Sequence, residues 1–129
     1  MIRYIESLEG VSAEMLQGFF DGWTEPRTPE QHMKILEGSD HIVLGVDGDS
    51  GRVVGFVTAM TDGIQAAFIP LLEVLPAYRH RGIGAALVTR MLEKLKGIPA
   101  IDLTCDPEVQ RFYTRFGMTP SVGMVIRDY

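Results

Sequence analysis

The sequence predicts a mixed α/β (α+β) fold, with a mostly antiparallel central sheet flanked by helices. Two observations carry that expectation. Between His41 and Met60, two β-rich runs are joined by Asp47-Gly48-Asp49-Ser50-Gly51, turn chemistry that closes an antiparallel hairpin. From Gly82 the apolar residues recur with a helical period, and a short apolar run follows from Ala100. The resulting strand–helix–strand unit, from Phe68 to Cys105, is expected to be parallel and right-handed, as nearly all such crossovers are. The length of 129 residues suits one domain spanning 1–129.

Each element has a local reason. Ile2 to Glu6 alternates apolar and polar residues, as a half-buried strand does. Ser12 can cap a helix whose apolar positions are Met15, Leu16, Phe19 and Phe20. Gly22, Pro26 and Pro29 then break the chain around Trp23. Thr28-Pro29-Glu30-Gln31 is a capping-box pattern with proline at the first helical position, so a second helix should run to about Leu36 and stop at Gly38. After the hairpin, Asp62-Gly63 turns the chain into a third β-rich run, Ala66 to Leu75. Pro70 lies inside that run and cannot donate to a ladder, which implies an edge, a bulge or a local break. Ile83, Leu87, Val88, Met91, Leu92 and Leu95 form one helical stripe, ended by Gly97 and Pro99. Ala100 to Cys105 reads as a strand, Pro107 to Phe116 as a helix, and Met124 to Arg127 as a last strand.

Composition narrows the function. A formal net charge of −5 disfavours a general nucleic-acid role, which would show a positive surplus. The single cysteine, Cys105, excludes an internal disulfide framework and a thiolate zinc site. Charges interrupt the amino-terminal apolar residues, and the longest apolar stretch, Ala66 to Leu72, is far short of the ~20 residues that span a bilayer. A soluble cytoplasmic protein with no membrane partner is the expectation. His32 and His41 show no metal-ligand spacing, and no metal is expected.

The most informative segment is Arg79-His80-Arg81-Gly82-Ile83-Gly84-Ala85, between a strand and the striped helix. The first turn of a helix leaves N–H groups unpaired and carries about half a positive charge, which suits an anion. Gly82 and Gly84 let anion oxygens approach the backbone, and Arg79 and Arg81 add charge-assisted donors. A bare glycine-rich helix start with solvated arginines is the alternative. Ala85-Ala86 after Gly84 excludes a Walker loop, and Leu87 stands where a dinucleotide fingerprint needs a small residue.

Val74 to Ala85 resembles the acetyl-CoA signature of the GNAT superfamily of N-acetyltransferases, with Arg79, Gly82 and Gly84 at its defining positions. Phe112-Tyr113-Thr114-Arg115-Phe116-Gly117-Met118 is similar to the later helix of that family, and Leu103 to Gly117 resembles the serotonin N-acetyltransferase branch in part. The resemblance implies a splayed parallel strand pair forming an acetyl-CoA cleft. It places the coenzyme diphosphate on His80, Arg81, Gly82, Ile83, Gly84 and Ala85, and the pantetheine arm on Leu72, Glu73 and Val74. It further implies direct transfer of acetyl to a small amine or a peptide amino terminus. Tyr113 would protonate the leaving thiolate, as a phenol with an ordinary pKa near ~10 can. Two histidines of the serotonin branch are replaced by Phe68 and Pro70, which leaves the base open among Glu73, Asp102 and water. Trp23 is read as a substrate contact, because the first helices and their loop line the acceptor pocket in this family. Asp106 is expected to cap the helix at Pro107, and Cys105 to be a small packed side chain. Relatives that pair through their last strands make a homodimer compatible with the sequence. The alternative function is a CoA-binding sensor or interaction module with little catalysis.

Overall fold

A six-stranded sheet organises the chain in its computed structural model, which describes residues 1–129. The strands are β1 (Ile2–Ile5), β2 (His41–Asp47), β3 (Val53–Thr61), β4 (Ala66–Phe68), β5 (Leu72–Val74) and β6 (Ala100–Asp102). Their order is β1-β2-β3-β4-β6, with β5 also on β3. Every pairing is antiparallel except β4 with β6. The helices are α1 (Pro29–Gly38), α2 (Ile83–Lys94) and α3 (Gln110–Thr114). No helix is long and apolar enough to cross a membrane.

The hairpin forms as the turn residues predict: Asp47 Oδ1 accepts from the Asp49 N–H at 2.9 Å, and Gly51 takes a φ of 77°. Thr28 caps α1 through the Gln31 N–H (3.1 Å), and Gln31 returns the bond to the Thr28 N–H (2.9 Å). The stripe of α2 buries Ile83, Leu87, Val88 and Met91. It lies over the cross-strand pair Gly45 and Gly55, where a β-carbon on Gly55 would stand 3.1 Å from Leu87 Cδ1 and 3.2 Å from Ile83 Cγ2. Only glycine lets this helix come so close to the sheet. Strand alternation turns Phe56 to the opposite face, where it meets Phe19, Phe20 and His32.

Five expectations are corrected. The helix after Ser12 is a single 3-10 turn, Ala13–Leu16, because Gly18 (φ 88°) and Phe20 (φ 66°) enter left-handed backbone that ends helical winding. The run Ala66 to Leu75 is two strands, β4 and β5, separated at Ile69–Leu71 around Pro70. The strand expected over Ala100 to Cys105 stops at Asp102, since its partner β4 stops at Phe68. Met124 to Arg127 forms no strand: no neighbouring edge pairs with it, and Val122, Met124 and Ile126 are almost fully exposed. The helix expected over Pro107 to Phe116 is shared between a 3-10 turn, Pro107–Val109, and α3.

Candidate active site

The break at Pro70 shapes the site. The Ile69 N–H reaches the Asp102 C=O at 2.9 Å, the last backbone bond joining the parallel pair. Beyond it β5 stays on β3 while the chain after Asp102 follows no partner, so the two diverge. At the two ends of β5, the Leu71 C=O accepts from the Thr58 N–H and the Leu75 N–H donates to the Val54 C=O, at 3.0 and 2.8 Å. The antiparallel alternation therefore points the backbone groups of Leu72 and Val74 away from β3, onto a free edge. Glu73 points its backbone at β3 and its side chain onto the Phe56 face.

At the carboxyl end of β5, Pro76–Tyr78 makes a 3-10 turn and His80 and Gly82 adopt φ values of 64° and 80°. Gly82 is the N-cap of α2 and offers no side-chain cap. The first bond of the helix is from the Ala86 N–H to the Gly82 C=O (3.0 Å), so the N–H groups of Ile83, Gly84 and Ala85 have no partner within it. Space beside Gly82 is open, and the first turn carries no acidic residue. Arg79 folds back, Nε donating to the Val74 C=O at 3.0 Å, and thereby ties the turn to β5. Arg81 stacks over the Tyr78 ring (5.1 Å to the centroid), and the Tyr78 hydroxyl donates to Asp47 Oδ2 at 2.6 Å. The hairpin thus braces the cationic turn. Exposed donors, open glycine space and two arginines together fit a diphosphate.

Gly84 adjoins α3: a β-carbon there would lie 3.5 Å from Phe112 Cζ. The next residue, Tyr113, faces a cavity of about 500 Å³ that also holds Phe68, Asp102 and Cys105. A second concavity, of about 530 Å³, shares Phe68 and Asp102 and opens over Met60 and Thr61. Neither includes the Gly82 turn or Trp23. Burial raises the Tyr113 pKa above its ordinary value and the neighbouring Cys105 adds to it, keeping the phenol protonated at neutral pH. Asp102 is exposed, and its carboxylate makes no hydrogen bond or ion pair. Asp106 occupies the N-cap position before Pro107 but makes no side-chain cap bond, contrary to its expected role.

Glu73 is placed differently from Asp102. Its Oε1 and Oε2 accept from the Phe20 N–H at 3.0 and 2.8 Å. Burial raises its pKa, against which the Phe20 N–H and Arg79 pull it down. Trp23 is 44% exposed and packs edge-on against Phe20 at 4.9 Å, on the Glu73 side of the sheet rather than in the Tyr113 cavity. His32 is fully buried among Phe19, Phe20 and Phe56 with neither ring nitrogen hydrogen-bonded, and burial lowers its pKa to about 4. The sequence signalled neither the Asp47–Tyr78 brace nor the Glu73–Phe20 bond, since each joins residues distant along the chain.

The fold and this constellation define an acyltransferase architecture of the GNAT type, and comparison with known proteins agrees. Residues 8–118 match the acetyltransferase (GNAT) family. This chain belongs to that family. A crystal structure from Deinococcus radiodurans R1, assigned as an acetyltransferase, superposes with a TM-score of 0.94 at 44% identity, covering 98% of this chain and 87% of that one. The chloroplastic GCN5-related N-acetyltransferase 1 of Arabidopsis thaliana is 30% identical over 84% of this chain and 57% of its own length. The chloroplastic serotonin N-acetyltransferase 2 of Oryza sativa subsp. japonica is 32% identical over 71% of this chain and 48% of its own. The chain spans about half the length of the curated relatives it matches.

Proposed function

We propose that this protein transfers an acetyl group from acetyl-CoA to a primary amine, either a small amine or a peptide amino terminus, by direct attack in a ternary complex. The observation that carries the reading is the continuity of the free edge of β5 with the Gly82 turn, and of that turn with the helix bearing Tyr113. Acetyl-CoA supplies an activated acyl group on a thioester. The N–H groups of Ile83, Gly84 and Ala85, with Arg81, hold its diphosphate. Leu72 and Val74 present backbone groups to the pantetheine arm, and an N–H of this edge stabilises the developing oxyanion. Loss of one such donor typically costs ~2.7–4 kcal/mol of barrier.

Tyr113 donates the proton the leaving sulfur needs, and its raised pKa suits an acid at neutral pH. Asp102 lines the same cavity with a free carboxylate, which takes the amine proton directly or through a water. No metal enters the scheme.

Thiol release from acetyl-CoA across a panel of amines tests the proposal. At least one amine should support turnover above hydrolysis, and Tyr113→Phe should lower kcat by about 10²–10⁴ while CoA affinity stays near the wild-type value. Tight CoA binding without turnover on any amine would instead favour a sensor or interaction module.

A further inference from the structure

We infer that Glu73 is a positioning residue, whose carboxylate fastens the Phe20–Trp23 loop to the strand that takes the thioester arm and so sets the acceptor wall. The inference rests on the function proposed above, in which β5 holds the pantetheine arm, and on the sequence expectation that Trp23 is an acceptor contact.

The geometry begins at Phe20. Its φ of 66° is left-handed backbone that a bulky L residue resists, and the residue is buried at 1% exposure. A buried N–H without an acceptor is costly, and no backbone carbonyl serves this one. Both Glu73 oxygens serve it instead, at 3.0 and 2.8 Å. Phe20 then passes the constraint on. Its C=O accepts from the Trp23 N–H at 3.2 Å, and its ring meets the indole edge-on at 4.9 Å. One carboxylate therefore holds a strained residue, and that residue holds the exposed indole.

Glu73 is suited to this by its register. It lies across from Phe56, the ring against which Phe19, Phe20 and His32 pack. Leu72 and Val74, its neighbours on either side, carry the free edge. A shift of the loop relative to β5 would thus change the distance between acceptor and thioester. The charged groups facing Glu73 are Arg79, on the turn after β5, and Asp21, on the loop itself. Proton abstraction from the acceptor is left to Asp102, because the Glu73 oxygens are already directed at Phe20.

The test uses Glu73→Ala, Glu73→Gln and Glu73→Asp in the full chain, with the most active amine from the panel. Trp23 is the only tryptophan, so acrylamide quenching of its fluorescence reports the loop whether or not turnover is measured. Glu73→Ala should raise the acceptor KM about tenfold or more and increase quenching, with the acetyl-CoA KM and kcat near wild type. Glu73→Gln keeps one acceptor oxygen and should recover most of both signals. Glu73→Asp keeps the charge but withdraws it by one methylene, and it carries the test through the same KM and quenching changes if Glu73→Ala does not fold.

A fall in kcat of ~10²-fold or more in both the Gln and Ala variants, with quenching unchanged, would make Glu73 a base and overturn the inference. Wild-type quenching and acceptor KM in both Glu73→Ala and Glu73→Asp would also overturn it. Absence of wild-type turnover with every amine, alongside increased quenching in Glu73→Ala, would uphold the fastening and overturn the proposed function alone.

Discussion

The two faces of the sheet are covered in different ways. On one face α2 lays an aliphatic stripe against β2, β3 and β5, seated in the space left by Gly45 and Gly55. On the other, a single 3-10 turn, a loop and the ten-residue α1 surround an aromatic cluster containing His32. The first layer is held by many interchangeable apolar contacts. The second contains buried polar groups, among them His32 with neither ring nitrogen hydrogen-bonded, and it is fixed to β5 by the Glu73 carboxylate. The Gly82 turn, proposed above to hold the diphosphate, belongs to the regular layer, and the loop that carries Trp23 to the irregular one.

The largest expected effect is on the α2 face. Leu87 is fully buried beneath Gly55, and Leu87→Ala should cost about 2–5 kcal/mol in urea unfolding, because the sheet cannot collapse into the void. A smaller loss would mean that α2 settles more readily than the glycine contact implies.

The next effect separates the faces by pH. His32 has a folded pKa of about 4, below its ordinary 6.5, so the unfolded chain binds the proton first. The stability linked to this group is complete above pH 6.5 and is lost as pH falls towards 4, by up to ~3 kcal/mol. Urea midpoints at pH 7 and pH 4.5 should therefore converge in His32→Leu relative to the wild type. An equal acid loss in both would place the titration elsewhere. The smallest effect concerns Thr58, whose buried hydroxyl has no partner. Thr58→Val should leave stability unchanged or raise it by about 1 kcal/mol or less, since no hydrogen bond is lost.

Legibility in the sequence followed the range of the interaction. The Asp47–Gly51 turn, the Thr28 cap and the α2 stripe depend on residues within a few positions of one another, and each formed where the pattern placed it. Pro70 announced a break, yet only the pairing of β4 with β6 and of β5 with β3 shows that the two sides of the break take different partners. The apolar period over Met15, Leu16, Phe19 and Phe20 suggested a helix, but left-handed backbone at Gly18 and Phe20 overrode it. Glu73 was visible as a carboxylate in the β-rich run after Pro70. Its partner lies 53 residues away, and no local pattern encodes that bond. At Met124 to Arg127 strand propensity was present and a pairing edge was not, which is why propensity alone failed.

Gly84 has a consequence for the distance between the two working ends of the molecule. A β-carbon at this position would sit in ordinary van der Waals contact with Phe112 and, at 3.9 Å, with Val74 Cγ2. One methyl group is accommodated; a longer side chain would have to wedge α3 outward and carry the phenol with it. Residue 84 therefore behaves as a spacer of fixed gauge, through which the bulk of one amino acid calibrates how far the Tyr113 phenol stands from the Gly82 turn.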